Sequence, residues 1–430
     1  MSFIPEIETK SKSEIKSFQE ELLVQSIHYL KNNSPFYQRH FATHQIDSKK
    51  IKTLEKLIEI PPTTKDDLHN FNWDFLCVPR NKISDYTSTS GTLGKPVTIA
   101  LTEKDLHRLA YNEMISFACA DANPNDIFQL MLTLDRQFMA GIAYHEGLRK
   151  LGAASIRVGP GSPQMQWDTI QRLKPTGLVA VPSSMLKLID YCEQNKIDIN
   201  KSSVAKVVCI GENIRDENLK LNSLSQKISE RWQVKLYGTY ASTEMQTAFT
   251  ECSCGRGGHH HPELVILEIL NADNSPVREG EVGEVTITTL GVEGMPLLRY
   301  KTGDMAQLFM DPCSCGRTTV RLGPILGRKQ HMIKLKGTTV YPPAIFDILQ
   351  QAKSISDFVV EAFTNELGLD DLKISCVSSD EINALKLVKD LFQSRLRVVP
   401  EILFTTPKEI EAMQSSPQQR KIQKFIDRRK

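Results

Sequence analysis

The sequence predicts an α/β protein, built as a large N-terminal domain of mixed and parallel sheets with flanking helices and a β-rich subdomain, then a small α+β domain. Three observations carry the prediction. Between residues 127 and 210, short apolar runs alternate with amphipathic ones. From about residue 262 the texture turns β-rich. From about Arg328 onward, short strands alternate with helices over a stretch of about a hundred residues, the size of a small domain. The boundaries that follow are 1–328 and 329–430.

Each element has a local cause. Leu22, Leu23, Ile27 and Leu30 recur at three- and four-residue spacing, the stripe of an amphipathic helix, and Asn32-Asn33-Ser34-Pro35 stops it. Residues 97–100 alternate like a strand. Residues 127–132 read as a strand, 177–181 as a short buried strand closed by Pro182, and 204–210 as another. Residues 164–173 and 184–195 lie between them with helical periodicity. Strand–helix–strand order calls for a largely parallel sheet covered on both faces. Residues 264–269 and 285–289 flank the turn-rich Asn271-Ala272-Asp273-Asn274-Ser275-Pro276, which predicts an antiparallel hairpin. In the last hundred residues, 358–363 reads as a strand and 382–395 as a helix. No solenoid repeat or low-complexity tract is present.

Composition narrows the function classes. A chain of 430 residues, 40% hydrophobic and 24% charged, can bury a sizeable core. Its net charge of +2 gives no field for coating a polyanion, so nucleic acid is not an expected partner. Neither a long uncharged apolar run nor a signal-peptide core is present, so the expectation is a cytoplasmic protein with no membrane partner. Nine cysteines do not make a disulfide scaffold in a chain of this size, and paired cysteines in a reducing compartment favour metal.

The segment Tyr86-Thr87-Ser88-Thr89-Ser90-Gly91-Thr92-Leu93-Gly94-Lys95-Pro96 concentrates hydroxyls, two glycines and a lysine. Glycines let backbone N–H groups turn inward, and hydroxyls and lysine add donors for anionic oxygens. By composition this is a phosphate cradle. It lacks the P-loop spacing, and the same residues also fit a polar loop with no ligand.

The order Thr-Ser-Gly-Thr-x-Gly-Lys-Pro, Tyr-x-x-Thr-Glu, Arg-Tyr-x-Thr-Gly-Asp, then Gly-Arg with a nearby Lys-Gly resembles the adenylate-forming superfamily. Ser34-Pro35-Phe36-Tyr37, the stretch from Pro62 to Leu68, Glu251-Cys252 and Cys313-x-Cys315-Gly316-Arg317-Thr318 are similar to its phenylacetate–coenzyme A ligase group. The resemblance runs from about residue 30 to the end. It implies ATP-dependent ligation of an aryl acid, best phenylacetate, to coenzyme A through an acyl-adenylate, with release of AMP and pyrophosphate. It implies a mobile C-terminal domain, and the family admits a homodimer.

The resemblance distributes roles. Ser90, Gly91, Thr92, Gly94 and Lys95 would hold the leaving phosphates. Glu244 offers a hard oxygen to magnesium, Thr243 a donor to the α-phosphate, and Tyr240, with Ala241 and Ser242, a face for adenine. The family has glycine at Ala241. Glu244 alone also reads as a solvated surface group. Gly211, Glu212 and Asn213 fit a backbone shelf against adenine at the carboxyl end of a strand. Asp304, expected before a new strand, suits the two ribose hydroxyls or a plain Asx-turn, and Arg328 is the second ribose contact. Lys421 matches the adenylation lysine, with Lys424 as a rival in register. Lys336 and Gly337 would line the pantetheine tunnel. The usual hinge aspartate is replaced, the positions reading Lys329-Gln330.

Cys-Ser-Cys-Gly-Arg occurs twice, at 252–256 and 313–317, with Gly257-Gly258-His259-His260-His261 after the first. Two such knuckles read as a tetrahedral zinc site of structural type. The resemblance favours Cys252, His259, Cys313 and Cys315, with Cys254 or His261 as alternatives. The stretch 138–145, in particular Phe138, Ile142 and Tyr144, would line a slot for a flat acid or else pack as ordinary core. No arginine or lysine stands out for a second acidic group. Two other readings stay open: adenylation with a different acceptor (a carrier-protein thiol, or AMP transfer to a cofactor), and a nucleotide-binding protein without catalysis.

Overall fold

The computed structural model describes residues 3–89, 97–335, 338–366, 368–396, 398–415 and 423–429. They divide into two compact units, one within residues 3–325 and the other comprising 222–224 and the region from 326 onward.

In the first unit, α1 (Lys12–Asn33) starts at a capping box, in which Ser11 and Glu14 satisfy each other's backbone N–H groups. Leu23, Ile27 and Leu30 form its buried stripe. Ser34 ends α1 and caps α2 (Pro35–Thr43), whose first residue is the proline that cannot continue α1. A second capping box, Thr64 with Asp67, opens α3 (Lys65–Asn70). Thr63 beside it donates its N–H to the Arg299 carbonyl (3.0 Å) and accepts from Lys301 N–H (2.9 Å). The Pro62–Leu68 signature is therefore a structural clip.

β1 (Ile83–Ser88) and β2 (Thr98–Thr102) pair antiparallel, with Ser88 opposite Thr98. The chain then runs through α4 (Glu103–Cys119), β3 (Ile127–Leu130), α5 (Met139–Leu151), β4 (Ala154–Arg157), α6 (Pro163–Leu173), β5 (Gly177–Ala180), α7 (Pro182–Gln194), β6 (Lys206–Cys209), α8 (Ser223–Arg231) and β7 (Lys235–Ser242). Strands β4-β3-β5-β6-β7 are all parallel, as the alternation predicts. β8 (Thr247–Glu251) folds back antiparallel on β7, and β9 (Gly258–His259) on β8. An antiparallel meander follows, β10 (Val265–Leu270), β11 (Gly283–Thr289) and β12 (Tyr300–Ala306). β13 (Leu308–Phe309) and β14 (Arg321–Leu322) complete a nine-stranded mixed sheet, β13-β14-β9-β8-β7-β6-β5-β3-β4.

Asp304 is inside β12, not before a strand. Thr286 pairs with Lys301 and Glu284 with Met305, so residues 302–304 bulge opposite Val285. Gly303 supplies the left-handed φ of +79° at that bulge, and Thr302 Oγ1 donates to the Val285 carbonyl (2.9 Å). Bulges re-aim side chains, and this one carries Asp304 out of the ladder.

The second unit begins with β15 (Gly327–Arg328), β16 (Ile333–Leu335), β17 (Thr338–Val340) and α9 (Pro342–Gln351). β18 (Ile355–Thr364), β19 (Asp370–Ser378), α10 (Glu381–Leu396), β20 (Glu401–Phe404), α11 (Pro407–Gln414) and β21 (Phe425–Asp427) follow. Its sheet runs β20-β19-β18-β21 over a core that includes Phe358, Val360, Ile374, Val388 and Phe392. Among the described residues, no helix is long and apolar enough to cross a membrane.

Candidate active site

The sequence motif Tyr240–Glu244 sits where the parallel sheet turns antiparallel. β7 pairs with β6 through Cys209 and Gly238, and with β8 through Tyr240 and Phe249. The strand ends in a tight turn in which the Ser242 hydroxyl accepts from Met245 N–H (3.3 Å). Thr243 and Glu244 are half-buried on that turn. The buried Arg108 holds its far side, donating Nη1–H to the Gln246 carbonyl (2.8 Å).

Tyr240 does more than offer a ring face. Its hydroxyl donates to Asp304 Oδ2 (2.8 Å), which joins the motif on β7 to the bulge on β12. Burial, reinforced by the Asp304 carboxylate, pushes the phenol well above its ordinary range, so it stays a neutral donor. The ring stacks on Phe249 (6.2 Å between centroids, 30° between planes).

The shelf after β6 is built from backbone. Gly211 takes φ +73°, which turns the chain out of the strand. Glu212 Oε2 accepts from Ser183 N–H (2.8 Å) in the first turn of α7, and Asn213 Nδ2 donates to the Ile325 carbonyl (2.6 Å). Both side chains thus secure the shelf. Glu212, Asn213, Gly238, Thr239, Tyr240 and Phe249 line one pocket at the carboxyl end of the parallel strands.

The cysteine reading meets a cluster. The ligand atoms of Cys252, His259, Cys313 and Cys315 lie within 4.8 Å of one another. Cys252 Sγ is 3.6 Å from Cys313 Sγ, and His259 Nε2 is 3.4 Å from Cys252 Sγ and 3.5 Å from Cys315 Sγ. Tetrahedral zinc with ordinary bond lengths places sulfurs about 3.8 Å apart and sulfur and nitrogen about 3.5 Å apart. The donor set fits that ion. Burial opposes ionisation of Cys315, but hydrogen bonds from His259 and Arg317 override it and bring the thiol to about 5. Burial drives Cys252 far the other way. A dication is the group that lets crowded thiols ionise side by side.

Of the alternative ligands, Cys254 adjoins the cluster beside Cys252 and Cys313, and His261 is engaged apart from it. Cys254 Sγ is 3.1 Å from Ser314 Oγ. His261 Nδ1–H donates to Glu8 Oε1 (2.5 Å), whose other oxygen accepts from Arg317 Nε (2.6 Å). All three side chains are buried. Thr318 N–H also donates to the Glu8 carbonyl (2.8 Å), so the short turn Glu6–Thr9 is pinned onto the second knuckle. Sequence reasoning missed this clamp. A lone Glu in an N-terminal turn carries no signal of its partners.

The acyl-slot residues do not share one surface. Tyr144 is buried in the core beneath the sheet, its ring edge-on to Phe117 (5.7 Å, 73°), in the cluster against which Phe138 also packs. Ile142, two residues before Tyr144, falls on a different helical face and is half-buried. For Tyr144, the packing alternative holds. Arg328 is half-buried in the second unit. Ser90, Gly91, Thr92, Gly94, Lys95, Lys336, Gly337 and Lys421 lie outside the described residues.

The sequence matches the AMP-binding enzyme family over residues 58–294. The chain belongs to that family. It is 32% identical over 354 residues to a phenylacetate-coenzyme A ligase of Thermus thermophilus, covering 81% of this chain and 78% of the relative. A phenylacetate-coenzyme A ligase of Escherichia coli is 26% identical, with 86% and 83% covered. A crystal structure of 2-hydroxyisobutyryl-CoA ligase in the postadenylation state shares the fold of this AMP-binding enzyme. Its TM-score is 0.85 at 22% identity, over 98% of this chain and 91% of the other.

Proposed function

We infer that this AMP-binding enzyme ligates a carboxylic acid to coenzyme A, using ATP to form an acyl-adenylate and releasing AMP and pyrophosphate. The observation that carries the reading is the Tyr240–Asp304 hydrogen bond, made by a tyrosine that lines one pocket with Glu212 and Asn213 of the shelf. It sets a neutral phenol beside a carboxylate, a pair suited to adenine and to ribose hydroxyls. Phenylacetate is the substrate we assign, supported by the four phenylacetate-coenzyme A ligase relatives.

The chemistry needs charge neutralised around a triphosphate while a carboxylate attacks the α-phosphorus. Ser90, Gly91, Thr92, Gly94 and Lys95 are assigned to the leaving phosphates, Thr243 to the α-phosphate and Lys421 to the substrate carboxylate. Glu244 would hold magnesium, whose charge would help neutralise the phosphates. Cys252, His259, Cys313 and Cys315 would hold a structural zinc. Adenylation is assigned to residues 1–328, and the lysine and the Lys336-Gly337 loop for coenzyme A to 329–430, whose rotation would separate the two half-reactions. The setting we propose is the cytoplasm, with a homodimer as the assembly to test.

The test is turnover with ATP, magnesium and a panel of acids. Acid-dependent pyrophosphate release followed by coenzyme A-dependent AMP formation, highest with phenylacetate, is expected. Nucleotide binding with no acid-dependent pyrophosphate release overturns the reading. A second reading, the same adenylation with another acceptor, draws support from 32% identity over 163 residues to an indoleacetate–lysine synthetase of Pseudomonas savastanoi. Pyrophosphate release without coenzyme A turnover would favour it.

A further inference from the structure

In the wall of the same pocket lies a buried ion pair with no part in the roles above. Arg215 Nε donates to both oxygens of Glu251, each at 2.9 Å, and the two side chains are 14% and 7% exposed. A buried pair of this kind earns its place only if its geometry fixes something. Three elements converge on it. Arg215 follows the 211–213 shelf by two residues and also donates Nη1–H to the Leu219 carbonyl (3.1 Å). Gly238 of β7, two residues before Tyr240, directs its N–H at Glu251 Oε2 (3.4 Å). Glu251 ends β8 immediately before Cys252, the first residue of the knuckle.

The knuckle is shaped around the guanidinium. Gly255 has φ +60°, and a Cβ placed on it would stand 2.1 Å from Arg215 Nη2. Glycine at the fourth residue of the first Cys-Ser-Cys-Gly-Arg repeat leaves room for the guanidinium, which a side chain there would displace. A second link runs parallel to the first. Tyr240 stacks on Phe249, and Phe249 stacks on His260 (6.2 Å, 14°), which follows His259.

We propose that Arg215 and Glu251 are positioning residues for nucleotide binding, locking the 211–213 shelf and the Gly238–Tyr240 strand end to the cysteine knuckle. The proposal rests on the reading of that pocket as the nucleotide site. It makes the knuckle part of the active-site scaffold through Arg215 and Glu251 themselves. The pair acts through the backbone it holds, so its loss should appear in nucleotide affinity before it appears in the chemical step.

The test measures AMP binding by calorimetry, KM and kcat for ATP, and metal content, on the full-length protein. Glu251→Gln and Arg215→Met are each expected to weaken AMP and raise KM for ATP by about tenfold, with kcat at saturating ATP changed less than about threefold. The double variant should be no worse than the poorer single one, because both remove the same link. Glu193→Gln, on the exposed pair with Arg231, is the control and should leave AMP binding unchanged. Arg215→Met is the arm that keeps every residue of the knuckle intact, so its affinity loss should come with wild-type metal content. AMP binding within about twofold of wild type in either folded single variant, or additive losses in the double, overturns the proposal. Failure of the wild-type protein itself to bind AMP would instead overturn the nucleotide reading beneath it.

Discussion

Removal of the Glu8 carboxylate is the sharpest test of how the N-terminal turn is held. Glu8 is fully buried, accepts from His261 at 2.5 Å and from Arg317 at 2.6 Å, and has no solvent to replace either partner. Glu8→Ala leaves a buried guanidinium without its counter-charge, a loss of about 3–5 kcal/mol. For a unit of roughly 300 residues the unfolding entropy is about 0.6 kcal/mol/K, so the transition should fall by about 5–8 °C. Thermal unfolding followed by calorimetry reads the shift, and Glu6→Ala, on the exposed pair with Lys10, should leave the transition where it is. Combining Glu8→Ala with Arg317→Met should cost less than the sum of the two, since the orphaned charge goes with its partner. A fall below about 2 °C for Glu8→Ala, or strict additivity in the double variant, refutes the clamp. The pH dependence has a fixed sign. Burial alone would raise the Glu8 carboxyl, but His261 and Arg317 outweigh it and hold the group below its ordinary value of 4.5. Its contribution is therefore complete above about pH 4.5 and lost as pH falls through the lower folded value. In Glu8→Ala that part of the acid sensitivity should vanish.

Cys313→Ser should lower bound metal and reduce the unfolding temperature, and unchanged zinc stoichiometry by elemental analysis would remove Cys313 from the ligand set. Lys421→Ala should abolish pyrophosphate release while coenzyme A still attacks a supplied acyl-adenylate; equal loss of both half-reactions contradicts its assignment to the first. Tyr240→Phe deletes one charge-assisted bond to Asp304 and should raise KM for ATP by roughly tenfold, from a loss of about 1.5 kcal/mol, with its fold intact by circular dichroism. An unchanged KM would show that the phenol does not orient the Asp304 carboxylate for ATP.

Local patterns carried most of the fold. The stripe Leu23, Ile27, Leu30 and the proline after Ser34 predict α1 and its end, because helix periodicity and proline geometry act within a few residues. The apolar runs that became β3, β5 and β6 are short and bounded by turns, and their alternation with helices dictates a parallel sheet. Asp304 was misplaced for the same reason. A strand that carries a three-residue bulge reads as a break when only its sequence is visible. Tyr144 stayed open between two readings because an aromatic on a helix looks alike whether it faces a substrate or the sheet beneath. Only the packing partner Phe117 decides.

What sequence could not supply is the set of contacts that close the site. Tyr240 and Asp304 are 64 residues apart, Arg215 and Glu251 36, and Glu8 is 309 from Arg317. Residue type does not announce such pairs, since a Glu, an Arg or a Tyr is usually a solvated group. They share a physical logic nonetheless. Each removes charge or a hydrogen-bonding group from water, and each is satisfied only if two distant elements meet in register. β7, β8 and β9 then form one hydrogen-bonded stretch from Tyr240 to His259, with Thr239 opposite Thr250 and Thr250 opposite His259. A shift of one residue anywhere along it would turn Tyr240 away from Asp304 and His259 away from the three cysteines together. The register that brings Tyr240 to Asp304 is therefore the same register that assembles the knuckle, and a substitution that moves one should move the other.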